Sequence, residues 1–503
     1  DISVSVSSDI LPEFREYERT LVTVMNAYVR PSMERYLSNF EDKLKTMQFR
    51  SNINIVRSDG GLMSVGRAAE SPVHTMLSGP AGGVSGAAYL ASLAGYPDAL
   101  GFDMGGTSTD VSLIRGGKPE ISRQTSLGYY PIKIPSVEVH SVGAGGGSIA
   151  HVPMTGALRV GPESAGAVPG PACYGRGGTV PTVTDANLVL GRLPPSLLGG
   201  DMALDVSAAE EAVSNIARTL SLDLHKAAEG ILEIVNENMI GALRLVTVQK
   251  GLDPRDFSIV AFGGAGPLHG NAMAMLAGCY PVIVPPTPGV LSALGFLCSD
   301  VKNEFAQTFA RTLDEVQPGQ VSEIFRRLGR EAKTWLGEEG TSEQNQTLQY
   351  QADVRYFRQG YEFSLDVNPD SLGNGGLADL ATRFGAAHEQ LYGFKLDQPV
   401  ELVNLRAVGT GKVSKINFPV FDLGGPDCSG AIIDQHPVYF DGGFMATNIY
   451  DRTKLAAGNQ ISGPAVITQK DTTIVIHPGH MGAVDKYLNI LIHREGETLA
   501  RQV

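Results

Sequence analysis

Apolar residues at the start of the chain recur every three or four positions, which is the spacing of one face of a helix. The residues that keep this spacing are Phe14, Tyr17, Leu21, Val24 and Tyr28. The pattern predicts a helix over residues 12–47, which Pro31 kinks or restarts because proline has no backbone N–H to donate.

Two more helices are predicted in the middle of the chain, over residues 207–220 and 225–250. The second helix carries apolar residues on one face, namely Ile231, Val235, Met239 and Leu243. It is expected to end at Gly251, because glycine readily adopts the left-handed conformation of a helix C-cap.

Short apolar runs separated by glycines predict alternating strands and helices over much of the chain. The run "INIVRSDGG" predicts a strand, and "TMLSGPAGGVSGAAYLASLAG" predicts a helix in its second half, after a loop of Ser78, Gly79, Ala81 and Gly82. Further on, "FSIVAFGGAGPLHGNAMAMLAGCYPVIVPP" predicts strand, glycine-rich turn, helix and strand. This order is typical of an α/β domain, in which ligands bind at the carboxyl ends of the strands.

The pattern changes beyond about residue 305, where apolar and polar residues begin to alternate. A predicted helix near residues 320–338 precedes "LQYQADVRYFRQGYEFSLDV", and "GPAVITQKDTTIVIHPGHMGAVDKYLNILI" follows later; both predict antiparallel strands. We therefore expect three successive regions, which are a helical linking segment over 1–60, an α/β domain over 61–305 and a β-rich C-terminal domain over 306–503.

Composition and charge restrict the classes of partner. Hydrophobic residues make up 43% and charged residues 18% of the 503 residues, which describes a globular protein with ample core. The net charge of −13 and the lack of a basic run argue against nucleic acid, and no apolar stretch reaches the ~18 residues that span a membrane. The four cysteines form no C-x-x-C pair, which favours a reducing, cytoplasmic location.

The segment "GFDMGGTSTDVSLI", residues 101–114, places a carboxylate, two glycines and several hydroxyl side chains between two apolar runs. Backbone N–H groups that glycines leave accessible, together with hydroxyl groups, are able to bind phosphate oxygens. A carboxylate at the end of a strand is able to bind Mg²⁺. The candidate residues are Asp103, Gly105, Gly106, Thr107 and Ser108. A plain turn between two strands is the alternative, because short glycine-rich motifs also match by chance.

A second glycine loop, "AFGGAGPLHG" (261–270), lies at a predicted strand-to-helix turn. Glycines there let a ring or a sugar lie against the backbone, and the helix N-terminus favours nearby anions. Packing at the end of a buried strand explains this loop equally well when it is considered alone. The two loops together match one half of an actin-like ATPase core.

Several long motifs resemble the hydantoinase A/5-oxoprolinase family, and the resemblance extends over essentially the whole chain. The matching stretches are "SDGGLMS", "SPVHTMLSGPAGGVSGA", "DMGGTSTDVSLI", "HSVGAGGGSIA", "GPACYGRGGTVPTVTDANLVLG", "FGGAGPLHG" and "GPAVITQKDTTIVIHPG". That family belongs to the superfamily of actin, heat-shock chaperones and sugar kinases. The resemblance therefore implies an α/β, actin-like ATP-binding core over residues 61–305, followed by the β-rich domain.

The resemblance also implies an activity, that of the A-type subunit of an ATP-dependent hydrolase acting on a small cyclic amide such as hydantoin or 5-oxoproline. Asp103 would position Mg²⁺ or its water, and the residues from Gly105 to Ser108 would wrap the β- and γ-phosphates. Gly263, Gly264 and Gly266 would border the adenosine. Phosphorylation would activate the amide carbonyl, and hydrolysis itself would fall to a B-type partner subunit.

One feature of the family pattern is missing. Family members begin with another phosphate loop of the D-x-G-G-T type, whereas the only such loop of this chain is Asp103–Thr107. The first residues, "DISVSVSSDILPEF", contain no initiator methionine and no basic leader. We therefore expect the chain to begin inside a longer gene product, with the first half of the actin-like core removed, disordered or carried on another polypeptide.

Two other functions fit the same loops. The first is a subunit of an ATP-dependent ketone carboxylase that acts on acetone or acetophenone, because the A-type subunits of both branches share these motifs. The second is an inactive scaffold subunit, which the intact Asp103, Thr107 and glycines 263–266 argue against.

A metal site for Zn²⁺ or Mn²⁺ is a separate hypothesis. Asp110, His140 and Cys173 are of the residue types that bind such ions, and Asp185 or His151 could replace one of them. Their spacing matches no compact metal motif. The alternative is that His140 is a hydrogen-bonded strand residue and Cys173 a buried small apolar residue.

Overall fold

The computed structural model describes residues 2–497, which form a mixed α/β fold. The helices are α1 (Ser7–Ile10), α2 (Glu16–Thr46), α3 (Val65–Glu70), α4 (Ser78–Leu93), α5 (Val183–Val189), α6 (Val206–Leu220), α7 (Leu224–Val246), α8 (Gly266–Ala277), α9 (Leu291–Cys298), α10 (Pro318–Glu338) and α11 (Leu377–Tyr392). The strands are β1 (Asn54–Val56), β2 (Leu62–Ser64), β3 (Ala99–Met104), β4 (Thr109–Arg115), β5 (Lys118–Pro119), β6 (Ile121–Ser122), β7 (Thr125–Leu127), β8 (Tyr130–Ile132), β9 (Ser136–Val137), β10 (Val139–Val142), β11 (Ser148–His151), β12 (Arg159–Ser164), β13 (Ser196–Leu197), β14 (Met202–Ala203), β15 (Ser258–Phe262), β16 (Val282–Val284), β17 (Val301–Thr312), β18 (Gln346–Tyr356), β19 (Phe363–Asp366), β20 (Val400–Gly411), β21 (Ile432–Phe440), β22 (Gly443–Asp451), β23 (Gln460–Ser462), β24 (Ala465–Thr468), β25 (Thr473–Ile476), β26 (His480–Val484) and β27 (Ile490–Arg494).

The chain divides into two compact units whose segments alternate along the sequence. The first unit contains the segments up to Gly82, 121–137 and 296–416, and the second contains 83–120, 138–295 and the segment from Asn417 onward. This division differs from the three successive regions expected from the sequence. The reason is that β23, β26 and β27, from the end of the chain, extend the sheet that also holds β3 and β15.

The first unit is built on a six-stranded sheet in the order β1-β2-β17-β20-β18-β19. The long strands β17, β20 and β18 pair antiparallel, and β18 lies in one of the two runs that predicted antiparallel strands. Helix α10 packs on this sheet through Phe325, Leu328 and Ala332, which are all buried. The sheet and α10 thus form the main core of this unit.

Helix α2 is confirmed, but its apolar stripe is not its buried face. The buried side chains of α2 are Val22, Asn26 and Leu37, whereas Tyr17, Val24 and Tyr28 are exposed. The helix also continues through Pro31 as one element, so it does not restart there. Pro31 is exposed, so the carbonyl that loses its helical donor is able to bond to water instead.

The second unit is built on a nine-stranded mixed sheet with the path β10-β4-β3-β15-β16-β27-β26-β23, and β5 pairs with β4 at its edge. Strands β3, β15 and β16 are parallel neighbours in its centre. The remaining pairs along this path are antiparallel, including β3 with β4 and β16 with β27. A separate four-stranded sheet contains β21, β22, β24 and β25.

Helix α7 packs against the sheet of the second unit with the face that the sequence predicted. Ile231, Val235, Met239 and Leu243 are buried in its core. The helix ends at Val246 and is followed by a short 3₁₀ turn, which Gly251 terminates in a left-handed conformation with φ of 72°. Gly251 therefore closes the helical segment, as predicted.

Helix α4 begins earlier than the sequence suggested. Ser78, Gly79, Ala81 and Gly82 lie within the helix rather than in a loop before it. Pro80 is accepted there because the first-turn amides of a helix have no intrahelical acceptor. Within residues 2–497, no helix combines the length and the apolar character needed to cross a membrane.

Candidate functional site

The two glycine loops follow neighbouring strands of the central sheet. Strands β3 and β15 are parallel, and their register pairs Phe262 with Asp103 at the carboxyl ends. The amide of Ala265 donates a hydrogen bond to the carbonyl of Met104 over 2.9 Å. The loops 105–108 and 263–266 therefore meet at one edge of the sheet, where parallel α/β sheets bind their ligands.

The loop 105–108 presents backbone donors without acceptors. The amide of Gly105 bonds to the carbonyl of Ser108 over 3.0 Å and closes the turn. Within residues 2–497, no acceptor takes a hydrogen bond from the amide N–H of Gly106, Thr107 or Ser108. Successive free N–H groups of this kind bind anions such as phosphate.

A third glycine segment, residues 145–147, supports that loop. Gly146 donates to the carbonyl of Gly105 over 3.0 Å, and Gly147 donates to the carbonyl of Gly106 over 2.6 Å. A Cβ atom at Gly145 would lie only 2.6 Å from the amide nitrogen of Thr107. Any side chain at position 145 would therefore displace the loop that carries the free donors.

Two carboxylates lie beside the loop. Asp103 is the one residue of β3 that is not fully buried, and it is the cross-strand partner of Asp110 on β4. Burial and the charge of Asp110 raise the pKa of Asp103 to about 6. Ser141 on β10 donates its hydroxyl hydrogen to Asp110. A neighbouring pair of carboxylates is stabilised by a cation, which is the chemistry of a Mg²⁺ site.

The second loop is tightly packed against the first. Gly263 has a φ of 81°, and a Cβ atom there would lie 2.4 Å from Oδ1 of Asp103 and 2.5 Å from the carbonyl oxygen of Met104. Only glycine fits both the backbone conformation and the space. The amides of Gly264 and Gly266 find no acceptor among the described residues, and Gly266 is the first residue of α8.

A cavity of about 220 Å³ opens beside these loops, and we call it the glycine-loop cavity. Its polar wall contains Gly105, Gly106, Gly146, Thr184, Asn187, Gly264, His269 and the segment 469–473. Its apolar wall contains Val183, Leu193, Leu197, Leu198 and Leu268. Of the predicted phosphate and adenosine residues, Gly105, Gly106 and Gly264 line the cavity, and the others lie in the same two loops.

The turn between β24 and β25 forms part of this cavity, which the sequence did not suggest. The hydroxyl of Thr472 donates to the carbonyl of Gly264 over 3.0 Å, and Asp471 accepts a hydrogen bond from the amide of Gly289 over 2.8 Å. The motif around "QKDTT" was one signal of family resemblance, but nothing in it indicated a place beside a loop some 200 residues earlier in the chain. It thus extends the site beyond the two predicted loops.

His269 is fixed as a neutral side chain at the base of the cavity. Its Nδ1 lies 2.9 Å from Oδ1 of Asn236, and its Nε2 lies 3.4 Å from Nδ2 of Asn187. Burial, with the positive charge of Arg192, lowers the pKa of His269 to about 3. Burial keeps this histidine neutral and the two amides fix its ring, so it orients the wall of the site rather than carrying a charge.

The structure does not bring the three predicted metal ligands together. Asp110 and His140 lie on the paired strands β4 and β10, where His140 contacts Glu138 at 3.3 Å. Cys173 is buried, and burial followed by the charge of Asp185 raises the pKa of its thiol. In the part of the chain described, no three His, Cys, Asp or Glu side chains cluster to hold a metal.

Asp185, the substitute ligand, has a structural role that explains its position. Its carboxylate accepts hydrogen bonds from the amides of Cys173 and Thr182 at 2.8 and 2.9 Å, and from the hydroxyl of Thr182 at 2.7 Å. It is fully buried at the start of α5, where it completes a capping box. The oxygens of Asp185 therefore already accept hydrogen bonds from the protein, which explains its position without a metal.

Comparison with known proteins finds relatives that match almost the whole chain. Caprolactamase subunit alpha from Pseudomonas jessenii is 35% identical over 495 residues, which cover 96% of this chain and 71% of that protein. The solved structure of ATP-dependent caprolactamase from the same organism superposes with a TM-score of 0.91 at 34% identity, covering 98% of this chain and 72% of the other. A nucleotide-free structure of acetone carboxylase matches with a TM-score of 0.76 at 27% identity, covering 97% and 71%.

Two family descriptions cover almost the whole chain. Residues 19–305 match the hydantoinase/oxoprolinase family, and residues 314–495 match the hydantoinase/oxoprolinase C-terminal domain. The division between them lies close to residue 305, where the sequence pattern changes. Together with the structural similarity, these matches show that the chain belongs to the hydantoinase/oxoprolinase family.

Proposed function

We propose that this chain is the ATP-binding, A-type subunit of an ATP-dependent cyclic amide hydrolase, with one half of an actin-like nucleotide cleft in its second unit. The observation that carries the proposal is the meeting of the loops 105–108 and 263–266 at the carboxyl ends of β3 and β15. Family membership and the similarity to an ATP-dependent caprolactamase support the same reaction class.

The residues present fit a magnesium-bound nucleotide. The free amides of Gly106, Thr107 and Ser108 would bind phosphate oxygens, and Asp103 with Asp110 would hold Mg²⁺ or its water. The free amides of Gly264 and Gly266 would offer donors to the adenosine, and the glycine at 263 lets this loop lie directly against the phosphate loop. ATP supplies a transferable phosphoryl group that converts a poorly reactive amide carbonyl into one with a good leaving group.

The contribution of this chain to such chemistry is positioning and neutralisation of charge. Fixed N–H donors need no reorganisation when negative charge develops on a transferring phosphoryl group, so they stabilise its transition state. The segment 145–147 keeps those donors in place by holding the carbonyls of Gly105 and Gly106. Attack of water on the activated carbonyl would occur with a B-type partner subunit, and the other half of the cleft would come from the first half of the actin-like core.

A ketone carboxylase is the second candidate. The acetone carboxylase structure matches 97% of this chain, and that enzyme carries out ATP-dependent acetone carboxylation. The same loops would then serve phosphorylation of bicarbonate or an enolate. The higher identity and TM-score of the caprolactamase favour the amide reaction.

Turnover with matched substrates tests the proposal. The assembled enzyme, containing this chain and the subunit that co-purifies with it, would be assayed for ADP release and ring-opened product. The substrates are 5-oxoproline, hydantoin and caprolactam in one series, and acetone or acetophenone with bicarbonate in another. We expect ADP and open-chain product in equal amounts from at least one cyclic amide. ADP release that depends on a ketone and bicarbonate alone would show the carboxylase function instead.

A further inference from the structure

A second cavity, of about 780 Å³, lies within the first unit, and we call it the Arg57 cavity. None of its lining residues lines the glycine-loop cavity. Its apolar floor consists of Met63, Phe305 and Trp335, and its walls come from the segment 8–13 and from helix α10. A volume of this size is typical of sites that bind small organic molecules.

Arg57 gives the cavity a buried cation with free donors. The residue is only 5% exposed, and the one hydrogen bond of its side chain to the described residues runs from Nε to Oδ1 of Asp59 over 3.3 Å. Among residues 2–497, no acceptor takes a hydrogen bond from its two terminal nitrogens. A guanidinium group left with two parallel N–H donors in a cavity is the arrangement that binds a carboxylate in bidentate fashion.

The other charges of the cavity argue against a simple anion as the ligand. Carboxylates outnumber guanidinium groups among the lining side chains. Some of these acids are already paired, as Glu13 is with Lys133 at 2.7 Å and Glu338 is with Arg67 at 2.8 Å. Glu13 and Glu304 also pair with Arg406, which leaves carboxylates and guanidinium groups equal in number among the other lining side chains. The wall thus carries both signs of charge, so a ligand that carries an ammonium group beside its carboxylate is favoured over one with negative charge alone.

We propose that the Arg57 cavity binds a zwitterionic amino acid. The carboxylate of the ligand would contact the terminal nitrogens of Arg57, and its ammonium group would contact carboxylates that line the cavity. Its aliphatic chain would pack on the floor formed by Met63, Phe305 and Trp335. The class of ligand rests on the proposed function, because ring opening of a lactam releases an open-chain amino acid. The cavity would thus bind the product of the reaction at a site separate from the nucleotide loops.

Calorimetric titration of the full chain tests this site without requiring turnover. The probes are 6-aminohexanoate and L-glutamate, with hexanoate lacking the ammonium group and hexylamine lacking the carboxylate. We expect one of the two zwitterions to bind at one site per chain, and both truncated probes to bind at least about ten-fold more weakly. The variant Arg57→Lys keeps a positive partner for Asp59 but loses the planar fork, so it should weaken binding by about ten-fold or more.

A second variant guards against misfolding of the first. Thr334 lines the cavity on the exposed side of α10, so Thr334→Trp should fill the mouth and abolish binding without disturbing the core. Its neighbour Lys333 does not line the cavity, and Lys333→Trp is the matched control that should bind normally.

Asp103→Asn should lose ATP turnover yet bind the zwitterion as well as the wild type, which separates this site from the nucleotide site.

Three results would overturn the proposal. The first is the absence of binding for both zwitterions, and the second is equal binding of hexanoate and 6-aminohexanoate. The third is unchanged binding in both Arg57→Lys and Thr334→Trp. None of these three results depends on whether the assembled enzyme hydrolyses ATP. The binding site and the proposed function are therefore tested independently.

Discussion

Gly263 is the residue at which backbone conformation and packing together restrict the candidate site. Its φ of 81° disfavours any L side chain, and a Cβ atom at this position would lie 2.4 Å from Oδ1 of Asp103. Gly156 has the same φ of 81° but open space around it. Substitutions at Gly263 and Gly156 therefore separate the effect of backbone strain on stability from the effect of close packing.

We predict that Gly263→Ala lowers the free energy of unfolding more than Gly156→Ala does. Backbone strain should lower it by about 1–2 kcal/mol in both variants, and the clash at position 263 should add about 1–3 kcal/mol. Only Gly263→Ala should also weaken ATP binding. Denaturant titrations and nucleotide titrations of both variants measure this, and equal stabilities would show that the contact with Asp103 relaxes without strain.

His269 gives the stability of the protein a predictable dependence on pH. Its pKa is lowered to about 3 in the folded state by burial, so the unfolded chain takes up a proton that the folded chain excludes. Stability should therefore fall as the pH drops below about 6.5, by about 2 kcal/mol between pH 7 and pH 5 from this residue alone.

The variant His269→Asn isolates that contribution. An asparagine amide is able to replace the donor to Asn236, and it does not titrate in this range. We expect lower stability at pH 7 but a shallower loss between pH 7 and pH 5, measured by denaturation at both values. The same slope in variant and wild type would mean that the pKa of His269 is not lowered in the folded protein.

The turn between β24 and β25 is the element whose role in the site is most readily tested. Thr472 bonds to the carbonyl of Gly264 over 3.0 Å, while Thr468, on β24 of the same hairpin, bonds to the carbonyl of Tyr450 over 3.1 Å and does not line the cavity. Each substitution to valine removes one hydrogen bond, so each should lower the free energy of unfolding by about 1 kcal/mol.

Only Thr472→Val should change nucleotide binding. We expect its KM for ATP to rise by about three- to ten-fold with kcat little changed, because the loop 263–266 loses a support but not its donors. Thr468→Val is the control, with an unchanged KM. Steady-state kinetics of the assembled enzyme measure both, and a normal KM in Thr472→Val would show that the turn does not position Gly264.

Helices and strands could be predicted from the sequence where the local pattern of apolar residues determines them. The prediction was less successful where tertiary packing determines which face is buried. The buried face of α7 followed from its periodicity, as did the antiparallel pairs β18 with β19, β24 with β25 and β26 with β27. The stripe Tyr17, Val24 and Tyr28 has the same periodicity in α2 but is exposed, because burial depends on what the rest of the chain places beside the helix. Periodicity alone does not carry that information.

For the whole molecule, the two glycine loops could be predicted but their surroundings could not. Each loop follows a strand, and parallel strands bring such loops to one edge of a sheet, so their meeting follows from a local pattern. The segment 145–147 and the turn 469–473 reach the same site through tertiary contacts, which leave no periodic trace in the sequence. The alternation of the segments of the two units along the sequence also depends on tertiary contacts, so it could not be predicted from local pattern.

The most direct test of the proposed nucleotide site is a structure of the assembled enzyme with a non-hydrolysable ATP analogue and Mg²⁺. We expect the phosphates to lie against the amides of Gly106, Thr107 and Ser108, and the adenosine against residues 263–266. We also expect Asp103 to contact the metal or a water bound to it. A nucleotide that touches neither loop, or that binds only to the partner subunit, would contradict the ATP-binding role of this chain.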